Sequence, residues 1–279
     1  MAAPYAGAVL VLIPPSESKL APPRRGRPVD LASLSFPELT SARRSVLAAL
    51  VAASAGEGAT ARLGVGPSLA PQVAANTRLP ELPAVPVHGL YTGVLYDALG
   101  WDTLSTSARR RAGRRLVVSS ALWGALRPAD RVPPYRLSMD ADLDVPFDAR
   151  SGSPGPLARF WRPVLAGVLE AAAPTGLVVD CRSAAYAAAW VPGPGTAERT
   201  VAVRVLREGT DGGRTVVSHL AKHTRGELAR HLLELPADPR HPRHLVEALA
   251  PRWRSELHAP TGRAGARTWT LDVVLPWAP

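Results

Sequence analysis

A chain of 279 residues that is 46% hydrophobic has ample material for a packed core. Its formal charge of +10 and pI near 10.8 point toward nucleic acid or another anionic partner, while a single cysteine excludes an internal disulfide framework and a cysteine-based zinc site. No apolar run approaches the roughly 20 residues of a membrane helix, and the opening lacks a basic leader and cleavage site, so a cytoplasmic protein with no membrane partner is expected.

The first element in chain order is the apolar run 8–13, a buried strand closed by Pro14 and Pro15 and followed by the loop "PPSESK". Helices are expected over 37–53 and 67–79, joined through "RLGVGPSLA", where Gly64 and Gly66 bracket Val65. Two helical pieces follow over 89–99 and 103–113, then a buried strand over 114–120. Residues 157–172 carry apolar side chains at helical spacing, 176–181 read as a strand and 183–190 as a small-residue helix. A hairpin is expected over 200–220 around Asp211-Gly212, then an amphipathic helix over 221–235 and a closing strand over 266–275. With no repeat and no long linker, residues 1–279 read as one compact domain of mixed α/β (α+β) class, a mixed central sheet flanked by helices.

Composition makes certain residues informative. Thirty-one arginines accompany only two lysines, and Asn76, Gln72 and Ile13 are each the sole member of their type. A solvated surface accepts Arg as readily as Lys, whereas a site that needs a compact, titratable ammonium does not. Lys19 and Lys222 are therefore the first candidates for function. Three segments gather chemistry: "PPSESK" with Ser16, Glu17 and Lys19; residues 119–137 with Arg127, Asp130, Tyr135 and Arg136; and residues 218–230, where Lys222 and Arg225 share a helix face. Arg127 and Asp130 also fit a structural clamp. Basic clusters at 22–27, 41–44 and 108–115 fit either a polyanion surface or solvated faces.

Three sharper chemistries compete. Ser16 and Lys19 have the spacing of a serine–lysine hydrolase but lack that family's partner motifs. His219, His223 and Glu227 have one-face metal spacing only if the helix starts early enough to include His219. Cys181 as a peroxide sensor needs exposure and a low thiol pKa, and its place at the end of "GLVVD" favours a small core residue. Neither a metal nor a cofactor is expected.

The segments "PPSESK" (14–19), "YTG" (91–93), "LRPADRVPPYRL" (126–137), "FW" (160–161) and "AKHTRG" (221–226) stand in the order of the hallmark elements of the YaaA family of peroxide stress resistance proteins, which the chain resembles over most of its length. Both lysines fall on that family's lysine positions. The resemblance implies a cytoplasmic protein of the response to hydrogen peroxide that limits iron-promoted oxidative damage. It also implies a helix-hairpin-helix element, here about 43–79, and binding of double-stranded DNA through a basic cleft. Site residues carried over for DNA or an anion are Lys19, Gly64, Gly66, Asn76, Arg78, Arg127, Arg136, Lys222 and Arg225. The chain departs from the pattern at His223, around Cys181 and in the C-terminal segment after 257. The competing expectation is an enzyme acting on a nucleotide-like or other anionic small molecule, with catalytic candidates Lys222, Lys19, Ser16, Tyr135 and Asp130.

Overall fold

The computed structural model describes residues 7–145, 156–173, 175–260 and 268–276. Residues 261–267, in the departing C-terminal segment, lie outside the described residues, as do the first two positions of the strand expected at 266. The strands are β1 (Leu10–Ile13), β2 (Val85–Pro86), β3 (Leu116–Ser120), β4 (Gly124–Leu126), β5 (Arg131–Val132), β6 (Val178–Asp180), β7 (Thr200–Glu208), β8 (Arg214–Thr215), β9 (Arg254–His258) and β10 (Trp269–Leu275). The first helices are α1 (Thr40–Ala53), α2 (Ala59–Arg62), α3 (Ala70–Ala75), α4 (Val87–Leu90), α5 (Val94–Leu99) and α6 (Thr106–Arg115). Then come α7 (Leu157–Ala172), α8 (Ala184–Ala188), α9 (Pro194–Ala197), α10 (Ser218–Glu234) and α11 (Pro242–Leu249).

The main sheet runs β4-β3-β1-β6-β7-β10-β9, with β8 hydrogen-bonded beside β7. Strands β3, β1, β6, β7 and β10 are mutually parallel, and β4, β8 and β9 join antiparallel, so the sheet is mixed as expected. Strands β1, β3 and β6 are buried along their whole length, which is why each reads as an uninterrupted apolar run rather than an alternating one. Because β1 lies between β3 and β6, the chain leaves it toward one side first and returns on the other. The carboxyl ends of these three strands border the kind of crevice where open parallel sheets bind ligands.

Several elements differ from the sequence expectation. The 89–99 helix is broken at Tyr91–Gly93, where Tyr91 bridges to Lys19 and Gly93 takes φ +96°, a conformation that ends one helical piece and starts the next. Helix α6 continues to Arg115, so β3 starts only at Leu116. The second arm of the expected hairpin pairs over Arg214–Thr215 alone, and α10 begins at Ser218, three residues early. Finally, α11 and β9 were not foreseen.

Close packing fixes one motif glycine. A Cβ at Gly226 of α10 would lie 2.1 Å from the Leu95 carbonyl oxygen and 2.9 Å from Ala98 Cβ, so only glycine lets α5 cross there. The Trp161 indole, fully buried, donates to the Ala121 carbonyl at 2.8 Å and lies against Gly124, holding the β3–β4 turn.

Candidate functional site

The loop after β1 runs alongside residues 90–92, held by Leu20 N–H donating to the Leu90 carbonyl at 2.9 Å and Thr92 N–H to the Ser18 carbonyl at 3.2 Å. The Tyr96 hydroxyl of α5 donates to the Pro14 carbonyl at 2.8 Å, so both sides of the break at 91–93 are tied to this loop. Lys19 Nζ is thereby brought over the Tyr135 ring, 4.4 Å from its centroid, and within 5.4 Å of that of Tyr91. Its polar neighbours are the carbonyl oxygens of Ser16 at 2.9 Å and Glu17 at 3.4 Å.

Among the described residues no carboxylate forms an ion pair with this amine; the Glu17 side chain turns to Arg136, whose Nη2 lies 3.0 Å from Glu17 Oε2. Burial of the amine, then the nearby Arg136 charge, lower the Lys19 pKa from 10.5 to about 7. Lys19 as a whole residue is partly exposed.

A chain of hydroxyls lies below. Tyr91 and Tyr135 hydroxyls are 3.1 Å apart, Ser120 Oγ is 2.7 Å from the Tyr135 hydroxyl, and Trp123 N–H donates to Ser120 Oγ at 3.0 Å. Burial pushes Tyr91, Tyr96 and Tyr186 well above the usual phenol range. Tyr135 is also raised by burial, but hydrogen bonds from Ser120, Tyr91 and the Ala121 and Leu122 backbone act against that rise. The chain has five tyrosines, and these four are electrostatically coupled at one place. A cavity of about 340 Å³ lies next to this cluster; Tyr91, Tyr96, His88 and Trp101 are among its lining residues.

Ser16, Lys19, Tyr135 and Arg136 are brought together. Lys19 meets the carbonyl of Ser16 rather than its hydroxyl; that hydroxyl accepts Ser18 N–H at 3.2 Å, so the serine–lysine dyad is not formed in this geometry. Asp130 is occupied elsewhere, accepting Ser35 N–H, Ser35 O–H and Arg127 N–H at 2.9, 2.8 and 2.7 Å. The Arg127 guanidinium donates to the Arg114 and Leu116 carbonyls at 2.7 and 3.2 Å. Asn76 clamps the Arg136 backbone, accepting its N–H at 2.9 Å and donating to its carbonyl at 2.8 Å. Arg225 donates to the Val203 carbonyl at 3.1 Å and lies near Cys181. Lys222 is exposed on the first turns of α10.

Gly64, at φ +63°, and Gly66 form the turn between α2 and the 3-10 turn that opens α3, while Arg78 is exposed with Glu81 3.8 Å away. His219, His223 and Glu227 do share α10, and His223 Nδ1 sits 3.5 Å from Glu227 Oε2. Among the described residues, no three His, Cys, Asp or Glu side chains gather as a metal site.

The basic clusters differ in kind. Arg43 of the 41–44 cluster is fully buried, donating to the carbonyls of Trp123 and Ala125 at 3.1 and 2.9 Å and of Ser35 at 2.8 Å. In α6, Arg111 donates to the Leu233 carbonyl at 2.6 Å and Arg115 pairs with Asp238 at 2.7 Å, stitching α6 to the end of α10 and the region after it. The arginines at 24, 25 and 27 are exposed.

Sequence reasoning missed Ser120, Tyr91, Tyr96 and Tyr186. For the tyrosines the available signal was rarity, since the chain has only five.

The chain is 47% identical over 270 residues to a UPF0246 protein of Streptomyces coelicolor, covering 96% of this chain and 98% of that one. It is 42% identical over 234 residues to a UPF0246 protein of Corynebacterium efficiens, covering 82% and 87% of the two chains. It is 36% identical over 154 residues to one from Cereibacter sphaeroides, covering 54% and 57%. The family model described as peroxide stress protein YaaA matches residues 9–251, which span the Lys19 loop, the tyrosine cluster and all of α10. The chain belongs to the YaaA family of peroxide stress proteins.

Proposed function

We propose that the chain serves its role in peroxide stress through an acid–base site centred on Lys19 and acting on an anionic small molecule. One observation carries this reading: the Lys19 amine is set over two tyrosine rings with carbonyls beside it, and burial outweighs the pull of the Glu17 carboxylate, which is turned to Arg136, so that the amine titrates at about 7. A phosphate-neutralising surface needs a permanent cation, and burial works against one here. An amine near neutrality with phenols below it suits proton transfer at physiological pH. Arg136, whose side chain is only 14% exposed, supplies a fixed positive charge for the anion.

The test is peroxide survival of a strain lacking the native protein and complemented with wild type, Lys19→Arg or Lys19→Met. The proposal predicts that neither variant protects. Full protection by Lys19→Arg would mean that charge alone is required there.

A second reading, double-stranded DNA binding, is favoured by the exposed turn at Gly64–Gly66, which leads through a 3-10 turn into α3, with exposed Arg78 following the other end of that helix. The limiting of iron-promoted oxidative damage belongs with it, because a protein seated on phosphates displaces cations from the same sites. Duplex binding measured across a salt series, with Arg78→Ala and Lys222→Ala, checks it. A salt slope that shrinks by about one phosphate per variant supports DNA contact at these residues, and an unchanged slope removes it.

A further inference from the structure

We propose that Lys19 is an imine-forming lysine that adds to the aldehyde of a phosphorylated sugar. This deepens the acid–base reading and rests on it.

The geometry supplies the parts. As a neutral amine, Lys19 has two N–H groups for the carbonyls of Ser16 and Glu17, leaving its lone pair for a carbon electrophile. The Tyr135 and Tyr91 rings fix the side chain from its apolar side, where a rotating ammonium in water would lose orientation. Glu17, with its side chain 83% exposed, lies on Arg136 at 3.0 Å, and an incoming phosphate competes for that guanidinium. Beneath the amine, the Ser120–Tyr135–Tyr91 hydroxyls can pass a proton toward a carbonyl oxygen.

The step balances without any oxidant or reductant. The Lys19 nitrogen forms a bond to the carbonyl carbon while the C=O π pair moves to oxygen, which takes a proton. The nitrogen gives up its protons in turn, the C–O bond breaks, and water leaves. Aldehyde and amine therefore become imine and water. Tyr135 is cast as the proton donor, since it is the phenol whose rise its hydrogen bonds oppose.

A sugar aldehyde bearing phosphate exists free or within a DNA strand that has lost a base, and the experiment separates the two. Full-length protein is mixed with sodium cyanoborohydride and either 2-deoxyribose 5-phosphate or a duplex carrying one abasic site, then analysed by intact mass and peptide mapping. With only two lysines in the chain, assignment is direct.

At pH 7.5 an amine titrating at about 7 is mostly neutral, whereas an ordinary lysine is neutral about one part in a thousand. Allowing for the lower nucleophilicity of a weaker base, the adduct on Lys19 should exceed that on an ordinary lysine by about tenfold. Lys19→Met keeps an apolar chain between the tyrosines and should abolish it. Tyr135→Phe keeps the ring and should slow trapping about a hundredfold, the lower end of the range for general acid catalysis.

An adduct at Lys19 in one arm supports the proposal and names the source. Equal labelling of Lys19 and Lys222, or no adduct in either arm, overturns imine formation. If no adduct forms but Lys19→Arg and Lys19→Met still fail to protect against peroxide, the acid–base reading stands without the imine. If both variants protect, both readings fall.

Discussion

Removing the Lys19 amine should make the protein more stable at neutral pH and should lose that advantage as pH rises. In the native state burial holds the pKa near 7, while the unfolded chain returns to its ordinary value of 10.5. Between those values the unfolded state carries a proton that the native state has shed, so stability rises with pH, by about 1.4 kcal/mol per unit. Seen from the other side, the contribution is complete above the unfolded pKa and is lost as pH falls toward the folded one.

From pH 7 to 9.5 this contribution amounts to about 3 kcal/mol, a ceiling because the side chain is partly exposed. Lys19→Met has no such group. Its advantage over wild type at pH 7 should therefore shrink by about 3 kcal/mol by pH 9.5, or about 6 °C in Tm at roughly 2 °C per kcal/mol for a chain of this size. The window stops there because Tyr91, Tyr96, Tyr135 and Tyr186 are held protonated in the native state and pull the opposite way above their ordinary range. Thermal unfolding of both proteins in matched buffers across the window is the assay. Parallel Tm profiles would refute the claim that the amine is desolvated.

Gly226→Ala gains about 1 kcal/mol of helix propensity, but the Cβ placed 2.1 Å from the Leu95 carbonyl oxygen forces α5 away at a larger cost. The expected net effect is a loss of about 2 kcal/mol by denaturant titration; a gain would mean that the helices separate freely. Asn76→Ala removes both hydrogen bonds that hold the Arg136 backbone, and should cost about 2–3 kcal/mol and weaken any anion affinity, measured by chemical denaturation and calorimetry. Burial pushes the Cys181 thiol up to about 12 and nearby Arg225 only partly offsets it, so iodoacetamide and peroxide should leave the native thiol unmodified by mass spectrometry. Rapid labelling of the folded protein would contradict that placement.

The parts of the fold legible in the sequence were those with a one-sided physical signal. Strands β1, β3 and β6 are buried on both faces and read as apolar runs, and α7 shows its stripe through Leu157, Trp161, Leu165 and Leu169. Strand β9 was invisible because it is an edge strand of half-exposed residues, held beside its neighbours partly by Arg214–Glu256 and Arg254–Glu208 pairs at 2.7 and 2.9 Å. Helix α11 buries only Leu245 and Leu249, too few to stand out.

At the site, scarcity found Lys19 because arginine does not replace a titratable amine. The same reasoning could not tell Lys19 from Lys222, since what separates them is burial set by residues 90–92 and 135, distant in sequence. Arg43 shows the converse limit. It lies on the helical stripe of Leu39, Val46 and Leu50, so its burial was readable from periodicity, but the "SARR" cluster suggests a solvated face.

The central claim is that one of the two lysines is a near-neutral amine, and NMR titration of protein carrying ε-13C-lysine tests it most directly. With two lysines in the chain, the signal lost in Lys19→Met identifies Lys19 without ambiguity. The account predicts a titration midpoint for that signal at about 7, accompanied by shifts at Tyr91 and Tyr135. A midpoint at the ordinary lysine value of 10.5 would contradict it and leave Lys19 as a simple cation.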